Sequence, residues 1–83
     1  MTKKEYCQKN PPIAYYSGFD GLEIHGIGYG IDDYIYCVSG AWGPPSGYKY
    51  HRLKIYHDPE RGGFFRLHGY KCYLDDCVRM GGF

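Results

Sequence analysis

Residues 48–57 read YKYHRLKIYH. Side chains of a strand alternate between its two faces, so Leu53 and Ile55 fall on one face, flanked by Lys49, His51 and His57. Tyr48, Tyr50, Arg52, Lys54 and Tyr56 fall on the other. The branched aliphatics belong in a core, which turns the aromatic and basic row outward or toward a partner.

The same period of two recurs upstream. From Asp32 to Trp42, one face carries Tyr34, Tyr36, Val38 and Trp42 and the other Ile35, Cys37, Ser39 and Ala41. Both faces look largely covered, as in a central strand. Gly43-Pro44-Pro45-Ser46-Gly47 has loop composition and predicts a hairpin between the two strands. Further upstream, Leu22 and Ile24 alternate with Glu23 and His25 as a half-buried strand. Gly26, Gly28, Gly30 and the off-phase Ile27 predict a bulge or bend at that point. Downstream, Asp58 to Gly63 is a second hairpin loop. Phe64–Leu67 and Tyr70–Leu74 are then two short strands about His68-Gly69, an X-Gly pair suited to a primed turn.

The ends read as helical. Thr2-Lys-Lys-Glu5 has the form of a capping box and predicts a helix over 3–9, stopped by Pro11-Pro12. Residues 11–20 follow as an extended segment closing in a Gly-flanked turn. Asp75-Asp76 can cap a final helical turn through Arg79 or Met80, before a flexible tail at 81–83. The expectation is one mainly β domain over 1–83, with residues 1–10 as its helical N-terminal segment. Its five or so antiparallel strands form a meander curling into an SH3-like or similar barrel, with a short helix at each end. The predicted core is Leu22, Ile24, Ile35, Cys37, Leu53, Ile55, Phe65, Leu67 and Leu74.

That core is thin, because folding a chain of 83 residues buries roughly 60% of the surface it exposes when unfolded. Eleven tyrosines suit its boundary, where the ring is buried and the hydroxyl is wet. A net charge of +1 argues against a nucleic-acid mimic and against a strongly basic binder. The distribution is uneven: residues 1–47 hold three lysines against five carboxylates, and 48–83 hold seven cations against four carboxylates. No apolar run follows the lysines of MTKKEYCQKN, and no stretch is long enough to span a bilayer, so a cytoplasmic location without membrane contact is expected. Cys7, Cys37, Cys72 and Cys77 then read as reduced, mostly buried thiols.

Sites of chemistry are harder to draw. The four cysteines with His25, His51, His57 and His68 lack the close ligand pairs of a structural zinc site, so no metal or other cofactor is expected. Adjacent carboxylates at Asp32-Asp33 and Asp75-Asp76 point to opposite sides of a strand and suit turns and caps better than a catalytic pair. Gly26-Ile-Gly-Tyr-Gly30 lacks the Lys-Ser/Thr continuation that would make it a phosphate loop. Nothing at readable spacing activates Cys37 or Ser39, and the chain reads as no enzyme.

The run FFRLHGYKCYLDDCVRM, from Phe64 to Met80, resembles the strand, X-Gly turn, strand, Tyr-Leu-Asp-Asp/Glu and short-helix ending of small uncharacterised single-domain proteins carried on mobile elements and phages of Gram-positive bacteria. GIDDYIYC, from Gly30 to Cys37, is similar more loosely. The resemblance implies a short cytosolic accessory protein that binds a host or element component, and it assigns no functional residue. From the residues themselves, the expected function is a binding module for a protein partner or for self-association. Its binding residues are Trp42, Tyr48, Tyr50, Arg52, Lys54 and Tyr56, since Tyr, Trp and Arg concentrate at interface centres. The alternative is single-stranded nucleic acid on the same face, with rings on bases and cations on phosphates.

Overall fold

A computed structural model describes residues 2–19, 21–28 and 33–79. Helix α1 (Lys3–Lys9) starts as its sequence predicts: the Thr2 hydroxyl accepts from the Glu5 amide at 3.1 Å while the Glu5 carboxylate reaches back to the Thr2 amide. Strands β1 (Ala14–Tyr16), β2 (Glu23–Gly28), β3 (Tyr34–Ser39) and β4 (Lys49–Lys54) form an antiparallel meander. Strands β5 (Tyr56–Asp58), β6 (Gly62–Leu67) and β7 (Tyr70–Tyr73) form a second one. Strand β8 (Cys77–Arg79) returns to pair with β1, giving sheets ordered β4-β3-β2-β1-β8 and β5-β6-β7. Met1, Asp20, Tyr29–Asp32 and the expected tail with Met80 lie outside the described residues.

Four expectations change. The single meander of five or so strands is eight strands in two sheets among the described residues. The single strand over 48–57 is two, because the chain passes from one sheet to the other at Ile55, which is buried and donates its amide to the Asp33 carbonyl at 2.9 Å. The bulge falls at His25, between Ile24 and Gly26, rather than at Ile27. That extra residue sets Gly26 opposite Tyr36 and Gly28 opposite Tyr34, leaving room for rings that a side chain would block. Finally, the C-terminal segment is not a helix through Arg79. A 3-10 turn at Leu74–Asp76 leads directly into β8. One helical turn is too short to hold itself, whereas β8 gains a full ladder with β1 and the Ser17 hydroxyl donates to the Asp76 carbonyl at 2.9 Å.

The His68-Gly69 turn has φ of 53° and 79° at its two central residues, as a type I′ hairpin requires. The core joins the facing sides of both sheets: Leu22, Ile24, Ile35, Cys37, Ile55, Phe65 and Leu67 are buried there, with Leu53 and Leu74 partly buried against them. Ala14, Tyr16 and Cys72 complete it.

Candidate contact surface

The outward side of the first sheet carries the tyrosine-rich row, and the chain itself covers part of it. Strand register sets Tyr34, Tyr36 and Val38 opposite Lys54, Arg52 and Tyr50. Helix α1 lies on this face, with the Tyr6 ring stacked on Tyr36 at 4.0 Å and 15° and the Tyr36 ring meeting Tyr34 edge-on at 5.4 Å. Tyr48 and Tyr50 are half-buried beside the buried Cys7 of α1, sharing a crevice of about 150 Å³ with it. His25 closes the helix end: its Nδ1 is 2.6 Å from the Asn10 carbonyl oxygen, and a carbonyl can only accept, so Nδ1 carries the proton.

Trp42 lies elsewhere. The chain leaves β3 at Gly40, whose φ is +73°, and the following Ala41 amide donates to the Gly21 carbonyl at 2.9 Å. This places the indole, 57% exposed, edge-on to Tyr15 at 5.7 Å. Tyr15 is in register with exposed Val78 on one side and with Glu23 on the other. Three strand spacings separate Tyr15 from Tyr50, about 14 Å.

Arg52 stays on the first sheet, its guanidinium 4.1 Å from the Tyr34 ring centroid, whereas Lys54 and Tyr56 point toward a surface that the sequence reading missed. On the outward side of the second sheet, Tyr56, Phe64 and Tyr73 stand in register across all three strands, their ring centroids 5.5 and 5.2 Å apart. The next pair along, Arg66 and Lys71, is in register on the same side. Cations lie on each ring: Arg61 over Tyr73 at 3.8 Å, Lys71 over Phe64 at 5.2 Å, and Lys54 and Arg66 over Tyr56 at 5.5 and 5.6 Å. Phe64 is 7% exposed although it faces away from the core, covered by neighbouring rings and aliphatic stems. Parity alone could have found this row, since Phe64 and Arg66 alternate with the core residues Phe65 and Leu67.

Charges on this face divide into satisfied and unsatisfied. Asp58 accepts from the Glu60 and Arg61 amides at 2.8 and 3.2 Å and from the Tyr73 hydroxyl at 3.3 Å. The two amides above all hold its carboxyl below the ordinary range. Arg61 is bound by Asp75 and Asp76 at 2.9 and 3.2 Å. Lys54, Arg66 and Lys71 form no ion pair among the described residues, although the charge of Lys71 contributes to lowering the Asp58 carboxyl.

The chain matches none of the protein-family models, curated proteins or solved structures with which it was compared.

The remaining candidates sort by location. His25 meets Asn10, His51 meets Ser39, His57 meets Asp33, and His68 sits in the type I′ turn. Among the described residues no three His, Cys, Asp or Glu side chains are grouped to hold a metal ion. The thiols are free, with Cys7, Cys37 and Cys72 buried. Burial pushes Cys37 up to about 12 and Cys77 to about 11, which keeps both protonated and unreactive at neutral pH. Ser39 Oγ and His51 Nε2 share a hydrogen bond at 3.0 Å, the geometry of a nucleophile with its base. The surroundings oppose that chemistry: burial, then Lys3, His68 and Lys49, lower the His51 pKa. The imidazolium that must form during proton abstraction is thus penalised. No helix among the described residues is long and apolar enough to cross a membrane.

Proposed function

We propose that the protein is a non-enzymatic, cytoplasmic binding module whose contact surface runs from Arg52 and Lys54 on β4 across Tyr56, Phe64, Arg66, Lys71 and Tyr73, and that its partner is a protein with an acidic surface. The two sheets, joined through Ile55 around one core, are read as an SH3-like or similar small barrel presenting this face. One observation carries the reading. A row of rings faces away from the core, and three cations beside it form no ion pair with a carboxylate among the described residues. Tyr and Arg over a desolvated centre, rimmed by charge, is the composition of protein interfaces.

Single-stranded nucleic acid is the second reading, favoured by those same cations. Exposure weighs against it: Tyr56 is 42% exposed but Phe64 is 7%, so successive bases would not find successive open rings. A two-fold dimer through this face would set Lys and Arg against their own copies. Self-association is better placed on the separate apolar cluster of Trp42, Tyr15 and Val78. The resemblance of the C-terminal quarter to mobile-element proteins directs the search for the partner to host or element components.

The test is capture of partners from lysate with and without nuclease, using wild type, Arg66→Glu/Lys71→Glu and Trp42→Ala. A nuclease-resistant partner lost on double charge reversal and retained by Trp42→Ala supports the proposal. A signal destroyed by nuclease, with affinity falling steeply as salt rises, favours nucleic acid. Retention by the charge-reversed protein refutes this surface.

A further inference from the structure

The first sheet is five strands wide and the second three, so the second cannot cover the whole inward face of the first. At the β8 side a cleft of about 350 Å³ opens between Ile13, Ile27, Leu74 and Cys77, with Ala14 and Ile24 behind them. None of the first four is fully buried. Arg79 is in register with Ala14, which is in turn in register with Ile24. Its side chain therefore belongs to the inward row, yet at the edge strand it stays exposed. Among the described residues it is the one charged side chain lining the cleft, and none of their carboxylates pairs with it.

We infer that this cleft is a binding site for a small amphipathic monocarboxylate, with its aliphatic tail between Ile13, Ile27 and Leu74 and its carboxylate on the Arg79 guanidinium. Apolar walls with one convergent polar group are the usual make-up of a small-ligand site, and the volume lies at the lower end of the range for such sites. Taking about 30 Å³ per heavy atom, the share of water in the liquid, the cleft holds roughly twelve heavy atoms, room enough for octanoate. Arginine selects the head group: its planar fork meets a carboxylate through two parallel hydrogen bonds. One guanidinium balances one negative charge, which favours a carboxylate over a dianionic phosphate. The inference is independent of the outward contact surface, which lies on the opposite side of the second sheet.

The test is an amide NMR titration of the intact protein with octanoate, octanol and octyl phosphate below their micellar concentrations, repeated on Arg79→Gln. Shifts should centre on Ile13, Ile27, Leu74 and Arg79, with octanoate binding about ten-fold tighter than octanol and tighter than octyl phosphate. Arg79→Gln, at an exposed edge position, should bring octanoate to the octanol level while leaving the rest of the spectrum in place. Ile27→Trp, which fills the cleft, should remove binding of all three. The inference fails if octanoate causes no shifts, if octanol binds equally well, if Arg79→Gln leaves the octanoate affinity unchanged, or if the shifts map to Tyr15 and Trp42. Preference for octyl phosphate would overturn the assignment of the head group.

Discussion

At Gly26 the absence of a side chain positions a helix. A Cβ there would lie 2.7 Å from two carbons of the Tyr6 ring, inside any allowed contact, and that ring stacks on Tyr36. Gly26→Ala must push the far end of the Tyr6 ring off its partner, and losing a stacked aromatic pair costs about 0.5–1.5 kcal/mol. Urea unfolding should show that loss in wild type and little of it in a Tyr6→Ala background, because the clash needs both groups. Equal losses in the two backgrounds would place the cost in the strand itself. From sequence, Gly26 and Gly28 read only as interruptions of a strand. Their purpose depends on Tyr6 and Tyr34, which meet them only once α1 and β3 are in place.

Helix α1 separates what a local reading reaches from what it misses. Its start is written in four residues, Thr2 to Glu5, because a capping box satisfies its own amides without help from the rest of the chain. Its location is not written there: a seven-residue helix is marginal in water and persists by packing, here against β2, β3 and β4. The strand parity in 48–57 correctly sends Leu53 and Ile55 inward and the tyrosines outward, but it cannot show that α1 then lies over Tyr48 and Tyr50. The row at Phe64 was equally legible by parity and was obscured by neighbouring core residues. β8 was beyond reach, since its pairing with β1 joins segments about sixty residues apart. Thr2→Ala should cost about 1 kcal/mol and speed amide exchange across Lys3–Lys9 while leaving β5–β7 unchanged. Faster exchange in β5–β7 alone, or none of these changes, would mean that the cap does not hold the helix.

For the whole molecule, buried thiols make alkaline pH the vulnerable side. An unfolded cysteine ionises near 9.0, whereas Cys37 in the folded chain is held up to about 12 and Cys77 to about 11, both chiefly by burial. Cys72 and Tyr16 are shifted upward for the same leading reason. Between those limits the unfolded chain has released protons that the folded chain still holds, so stability falls as pH rises. Below about pH 9 the contribution is fully present; it is then lost progressively through about 11 and 12. At pH 11 the Cys37 shift alone removes roughly 2–3 kcal/mol. His51 acts oppositely at the acid end. Its lowered pKa means that the unfolded chain takes up a proton first, so stability declines as pH falls below about 6.5. Urea midpoints measured under reducing conditions from pH 5 to 10.5 should therefore form a plateau between about 7 and 8.5, with a steeper fall on the alkaline side. Cys37→Ala should start from a lower plateau but lose less of it between pH 9 and 10.5. A wild-type midpoint that holds steady to pH 10.5 would show that these thiols are not shielded inside the folded protein.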